Sequence, residues 1–211
     1  MLLLNGLSRP MRSWSPFADE LRGRTLIAFD APGVGASKTP VIPYSMPMLS
    51  RVAAWVLDAL GVESADIVGF SHGGAVAPQF AVDHPGRVNR LGLLSTSCGV
   101  GATPGRGSDI TRILLRRDSA PPWPRPDPLG LLWQVAAIST WSSIPVLGRI
   151  RARTLVVCGE HDTVVPPVNS KLLAARIRDA RLVTIEAGHD VQKPGTAQAI
   201  ARVVEGFLDT D

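Results

Sequence analysis

Short apolar blocks recur along the chain, each closed by glycine, asparagine, proline or a charged residue. The blocks at residues 2–4, 25–29, 65–68, 154–158 and 181–186 have the length and aliphatic content of strands, and a further strand ends near Ser95. Longer segments with helical patterning lie between them. One, from Gly74 to His84, follows the 65–68 block after a glycine-rich turn. Strands that alternate with helices predict a parallel sheet covered on both faces. The expected architecture is therefore α/β, a mostly parallel doubly wound sheet of about six strands.

The pattern breaks between residues 98 and 146. Residues 99–107 are glycine-rich and read as a loop, and residues 120–128 carry so many prolines that they should run extended. Short helices are expected over 109–117 and 129–139. The division that follows is a core of residues 1–97 and 147–211, interrupted by a reduced lid at 98–146. The lid holds Trp123, Trp133 and Trp141. Either these side chains roof an apolar acyl pocket and bind substrate, or they only anchor the lid.

Candidate chemistry begins at Gly69-Phe70-Ser71-His72-Gly73, with Gly74 behind it. A strand, a very tight turn and a helix are the context that a G-x-S-x-G nucleophile elbow requires. The glycines add no Cβ to a crowded turn, and the new helix aims its free N–H groups at developing negative charge. A serine hydroxyl needs a base, and the base needs an acid to orient it. Asp162 follows the strand at 154–158, and His189 follows the strand at 181–186. Chemistry in such sheets sits beyond the carboxyl ends of the strands, where Ser71, Asp162 and His189 all fall. Glu160 and Asp190 compete with Asp162 for the acid. His84, at a helix exit, is expected to be structural, and His161 at most supports the site. An oxyanion hole would take one N–H from His72 and another from Leu7, because Gly6 lets the 5–8 loop turn inward. The His72 side chain could also line the acyl pocket.

These residues resemble the α/β-hydrolase-fold serine hydrolases. Within that superfamily the chain is most similar to the intracellular depolymerases of medium-chain-length polyhydroxyalkanoates and related esterases. The resemblance rests on Leu3-Leu4-Asn5-Gly6 with Trp14 and Phe17, on Asp30-Ala31-Pro32-Gly33-Val34-Gly35-Ala36-Ser37, and on Pro43-Tyr44. It continues through the elbow with Gln79-Phe80-Ala81, then Trp133-Gln134 and Trp141-Ser142-Ser143-Ile144. It implies ester hydrolysis through an acyl-enzyme on Ser71, His189 and Asp162, with no metal or other cofactor. The substrate would be an aliphatic acyl or hydroxyacyl ester, small or polymeric. Thioesterase, acyltransferase and cofactor-free perhydrolase chemistry on the same triad, or a silent binding protein, are the alternatives. Two departures stand out. The usual N-terminal strands before Leu2 are missing, which would leave residues 24–30 as an apolar edge able to pair in a homodimer. The lid is also shorter than is usual in the family.

Composition changes this picture little. The 211 residues are 45% hydrophobic, enough to fill one core. The net charge of +4 comes mostly from scattered arginines, with Lys38, Lys171 and Lys193 the only lysines. Arg116-Arg117 and the alternation Arg149, Arg151, Arg153 are not interleaved with aromatics, so a solvated surface is expected and no nucleic acid. Residues 1–4 are too short for a signal peptide, and no stretch has the length of a membrane span. A cytoplasmic protein with Cys98 and Cys158 as free, partly buried thiols is the expectation. Asp30 with Gly33 and Gly35 lacks the later glycine or lysine of a phosphate loop and reads as a structural turn. Pro78 is the one local conflict, because it lies inside an expected helix.

Overall fold

Alternation of side chains along each strand sorts the apolar residues into two cores. Leu2, Leu4, Ile67, Leu91 and Val156 face one way, and Leu3, Val68, Phe70, Leu155 and Val157 face the other. These residues belong to β1 (Leu2–Leu4), β3 (Ala65–Phe70), β4 (Val88–Leu94) and β5 (Arg153–Gly159) of the computed structural model, which describes residues 1–21, 23–114 and 126–210. With β2 (Ile27–Ala28) and β6 (Ala180–Ile185) they form one six-stranded sheet in the order β2-β1-β3-β4-β5-β6. Every neighbouring pair is parallel. Strands buried on both faces explain the near-continuous apolar blocks.

Helices cover both faces. On the first lie α2 (Met46–Ala59), α3 (His72–Asp83) and α6 (Pro167–Arg176), which contribute Leu49, Leu57, Phe80 and Leu173 to the core. On the second lie α1 (Ser15–Ala18) and α7 (Thr196–Leu208), which contribute Phe17, Ile200, Val204 and Phe207 beside Trp14. Leu2, Leu57, Ile67 and Leu91 are 0% exposed, and each such side chain stabilises the fold by on the order of 2 kcal/mol.

The sheet's first edge is β2. It is only two residues long, and its neighbours Leu26 and Phe29 pack partly against the two cores. The expected strand over 24–30 therefore contracts, because beyond Ala28 the backbone turns into the loop anchored by Asp30. That carboxylate accepts from Met11 N at 2.6 Å and from Ala36 N at 2.9 Å, which makes the 30–37 segment a structural turn.

Within residues 98–146, α4 (Gly107–Leu114) and α5 (Pro128–Ser139) are the two helices among the described residues. The extended run expected over 120–128 falls mainly outside the described residues, as does Trp123. At its far end the expectation needs correction. Pro128 starts α5, because proline is pre-shaped for the first helical turn and Asp127 caps it by accepting from Gly130 N at 2.6 Å. The helix after the elbow begins at His72, two residues earlier than expected. It runs through buried Pro78, which withholds one intrahelical hydrogen bond. Both cysteines are free and buried. No helix among the described residues is long and apolar enough to cross a membrane.

Candidate active site

Ser71 joins β3 to α3 with φ 51° and ψ −114°, a strained conformation for a residue with a side chain. The surroundings enforce it. Ser71 N donates to Leu94 O at 2.9 Å, and Thr96 Oγ1 donates to Ser71 O at 2.7 Å. The glycines around it are steric necessities. A Cβ at Gly73 would lie 2.2 Å from Leu4 O, and one at Gly69 would lie 2.4 Å from Gly73 O. Helix α3 can therefore sit directly on the ends of β1 and β3, with Ser71 held above the sheet.

The next two elements bring up His189 and Asp162. The end of β5 passes so close to the loop after β6 that a Cβ at Gly159 would lie 2.3 Å from Ala187 O. Asp162 is buried just beyond, its side chain 0% exposed against 8% for His189. Its Oδ1 accepts from Val164 N at 2.9 Å and Val165 N at 2.8 Å, which fixes the carboxylate and leaves Oδ2 for the imidazole. His189 Nδ1 lies 2.8 Å from Asp162 Oδ2, and Nε2 lies 3.1 Å from Ser71 Oγ. A carboxylate only accepts, so Nδ1 carries the proton and Nε2 is left to accept from the serine hydroxyl. Such a chain can draw a proton from Ser71 and return it to a leaving group.

Neither rival acid meets the imidazole. Asp190 pairs with Arg9 at 2.8 Å, and Glu160 is exposed. His161 is exposed, and the His84 ring packs on Phe80 with centroids 5.0 Å apart.

Leu7, Ser71 and His72 line one cavity of about 530 Å³. The N–H of His72 opens α3 and, in the first turn, has no intrahelical acceptor, so it is free for a ligand. The rest of the wall is largely aliphatic, with Val100, Ala102, Ile110, Leu114, Val135, Ile138, Val164 and Val165. No described lining residue is charged. The His72 imidazole is buried, and burial pushes its pKa down to about 4, a shift that the nearby backbone carbonyl of Gln134 opposes only in part. It is therefore neutral over the ordinary pH range and adds no charge to the pocket.

The described tryptophans stand beside this cavity rather than in its wall. Trp133 Nε1 donates to Pro40 O at 3.1 Å, and Trp141 Nε1 donates to Gln79 Oε1 at 2.7 Å. The first ties α5 to the segment before α2, and the second ties the residues just after α5 to α3. Sequence reasoning missed the polar network under the site. Gln192 Nε2 donates to Asn5 Oδ1 at 2.9 Å, and Gln134 Oε1 accepts from Ser8 N at 2.7 Å. Partners 187 and 126 residues apart leave no local signal.

A parallel doubly wound sheet, a strained serine at the β3–α3 turn, and an acid and a histidine after later strands define an α/β hydrolase. The chain belongs to that family: the profile of the alpha/beta hydrolase fold matches residues 1–126, and that of a TAP-like protein matches residues 132–211. Among similar proteins, the poly(3-hydroxyalkanoate) depolymerase of Ectopseudomonas oleovorans is 33% identical over all of this chain and 84% of its own length. A 2-hydroxy-6-oxo-6-phenylhexa-2,4-dienoate hydrolase of Comamonas testosteroni is 31% identical over 89% of this chain and 77% of its own. The crystal structure of a hydrolase from Pseudomonas aeruginosa PA01 superposes with a TM-score of 0.86 at 29% identity, covering 99% of this chain and 89% of that one.

Proposed function

We propose that this protein is a serine hydrolase that cleaves neutral aliphatic carboxylic esters, hydroxyacyl esters and their polymers included. One observation carries the reading: the Ser71–His189–Asp162 hydrogen-bonded chain opens on a mainly aliphatic cavity with no charge among its described lining residues. His189 takes the Ser71 proton as Oγ attacks the ester carbonyl, and Asp162 steadies the imidazolium. The N–H groups of Leu7 and His72 receive the oxyanion, each worth about 3 kcal/mol in such sites. His189 then protonates the leaving alcohol and, in a second step, activates water to release the acid. The 33% likeness to a poly(3-hydroxyalkanoate) depolymerase favours a hydroxyacyl ester. The 31% likeness to a dienoate hydrolase raises a second reading, but a carboxylate-bearing substrate would find no cation among the described lining residues.

A panel of p-nitrophenyl esters of graded acyl length tests the proposal. Medium-chain esters should be turned over faster than short charged ones. Ser71→Ala should lower kcat by roughly 10⁴-fold or more and abolish fluorophosphonate labelling. Labelling at another residue, or preference for charged esters, would sink this reading. Transfer to an added alcohol or peroxide in place of water would redirect it toward acyltransferase or perhydrolase chemistry.

A further inference from the structure

Gln134 is 1% exposed on α5, outside the groups that would perform the chemistry. Its Oε1 accepts from Ser8 N at 2.7 Å and from Ser8 Oγ at 3.2 Å. One side chain of α5 therefore grips the segment that presents Leu7, one of the two candidate oxyanion donors. Ser8 has its own need of a grip. Its φ of 53° lies in the left-handed region that serine seldom adopts, and the bond from Ser8 N helps to hold the peptide that follows Leu7 in that strained shape.

We propose that Gln134 is a positioning residue, keeping the Leu7 N–H group aimed at the oxyanion site and so coupling the seat of α5 to transition-state stabilisation. The inference rests on the ester-hydrolase reading of the same site. It differs from a purely packed glutamine in what it predicts. Donors that drift by a fraction of an ångström still leave the substrate bound, but hold the developing oxyanion poorly. The loss therefore falls on kcat rather than on KM.

Gln134→Met keeps the length and apolar stem of the side chain but cannot accept the two bonds. We expect kcat to fall roughly tenfold or more, KM to change by less than about threefold, and hydrogen exchange at the Ser8 amide to accelerate. Unaltered exchange at Ser8 would refute the latch whatever the activity. Faster exchange with unchanged kcat would refute the positioning role. Should the methionine variant not fold, Gln134→Glu keeps the acceptor and must retain the protection of Ser8, and its failure to do so would overturn the proposal. A wild-type protein inert to every ester would strike the functional reading instead, with the exchange result still deciding whether Gln134 holds Ser8.

Discussion

His72 sits beside Ser71 with its N–H in the site and its imidazole in the interior. The two halves of the residue have separate consequences. The N–H belongs to the proposed oxyanion hole, whereas the ring makes the fold acid-sensitive. Its pKa falls from 6.5 to about 4 because burial disfavours the charged form. Below pH 6.5 the unfolded chain binds a proton that the folded protein refuses until about pH 4, so stability is full above that window and drains as pH falls through it. The contribution is on the order of 3 kcal/mol. Thermal melts between pH 7 and 4 should therefore show a shallower decline for His72→Gln than for wild type. Parallel curves would mean that the ring is not held neutral. The placement of Ser71, Asp162 and His189 was legible because each lies in the loop or turn that leaves the carboxyl end of a strand, where chain order and sheet topology jointly dictate position. The buried ring of His72 was not, since its burial depends on α5 arriving from more than fifty residues away.

At the scale of elements, α5 decides whether the lid is a loose cover or part of the wall. It is fastened along its length. Asp127 caps it, and its carboxyl pKa is lowered by the bonds from Gly130 N and Thr39. Trp133 reaches Pro40, Gln134 reaches Ser8, and the Trp141 indole closes on Gln79 just beyond the helix. At its start the backbone touches the 30–37 turn so closely that a Cβ on Gly130 would lie 2.3 Å from Gly33 O. Gly130→Ala should accordingly cost about 1–3 kcal/mol in urea unfolding, as overpacking against backbone does. An unchanged midpoint would show that the contact relaxes without cost. The helix itself was readable from residues 129–139, and its proline start less so, because proline signals a break unless its cap is recognised. Trp133 and Trp141 illustrate the same limit. Their apolar rings suggested either a pocket roof or an anchor, and no periodicity reveals that their indole N–H groups reach Pro40 and Gln79.

Across the whole molecule, the fold joins the two ends of the chain beneath the site. The loop after β1 meets the loop after β6 although β2, β3, β4 and β5 separate those strands in sequence and β3, β4 and β5 lie between them in the sheet. Arg9 pairs with Asp190 at 2.8 Å, their side chains 15% and 18% exposed. Gln192 donates to Asn5 and accepts from Ser13 Oγ at 3.1 Å. The Arg9 guanidinium also lies 5.6 Å from the Phe70 ring centroid, and that ring is 5.3 Å from His189. The parallel sheet was predictable from alternation, but such a bracket was not, because Asp190 read equally well as a candidate acid. Partial burial weakens solvent screening, so the pair should count for more than a surface ion pair. A double-mutant cycle of Arg9→Met and Asp190→Ala should give a coupling of about 1–2 kcal/mol, with faster hydrogen exchange over residues 187–192 in each single variant. If the two losses simply add, the ends are held by packing alone, and the histidine loop owes its position to the sheet rather than to this pair.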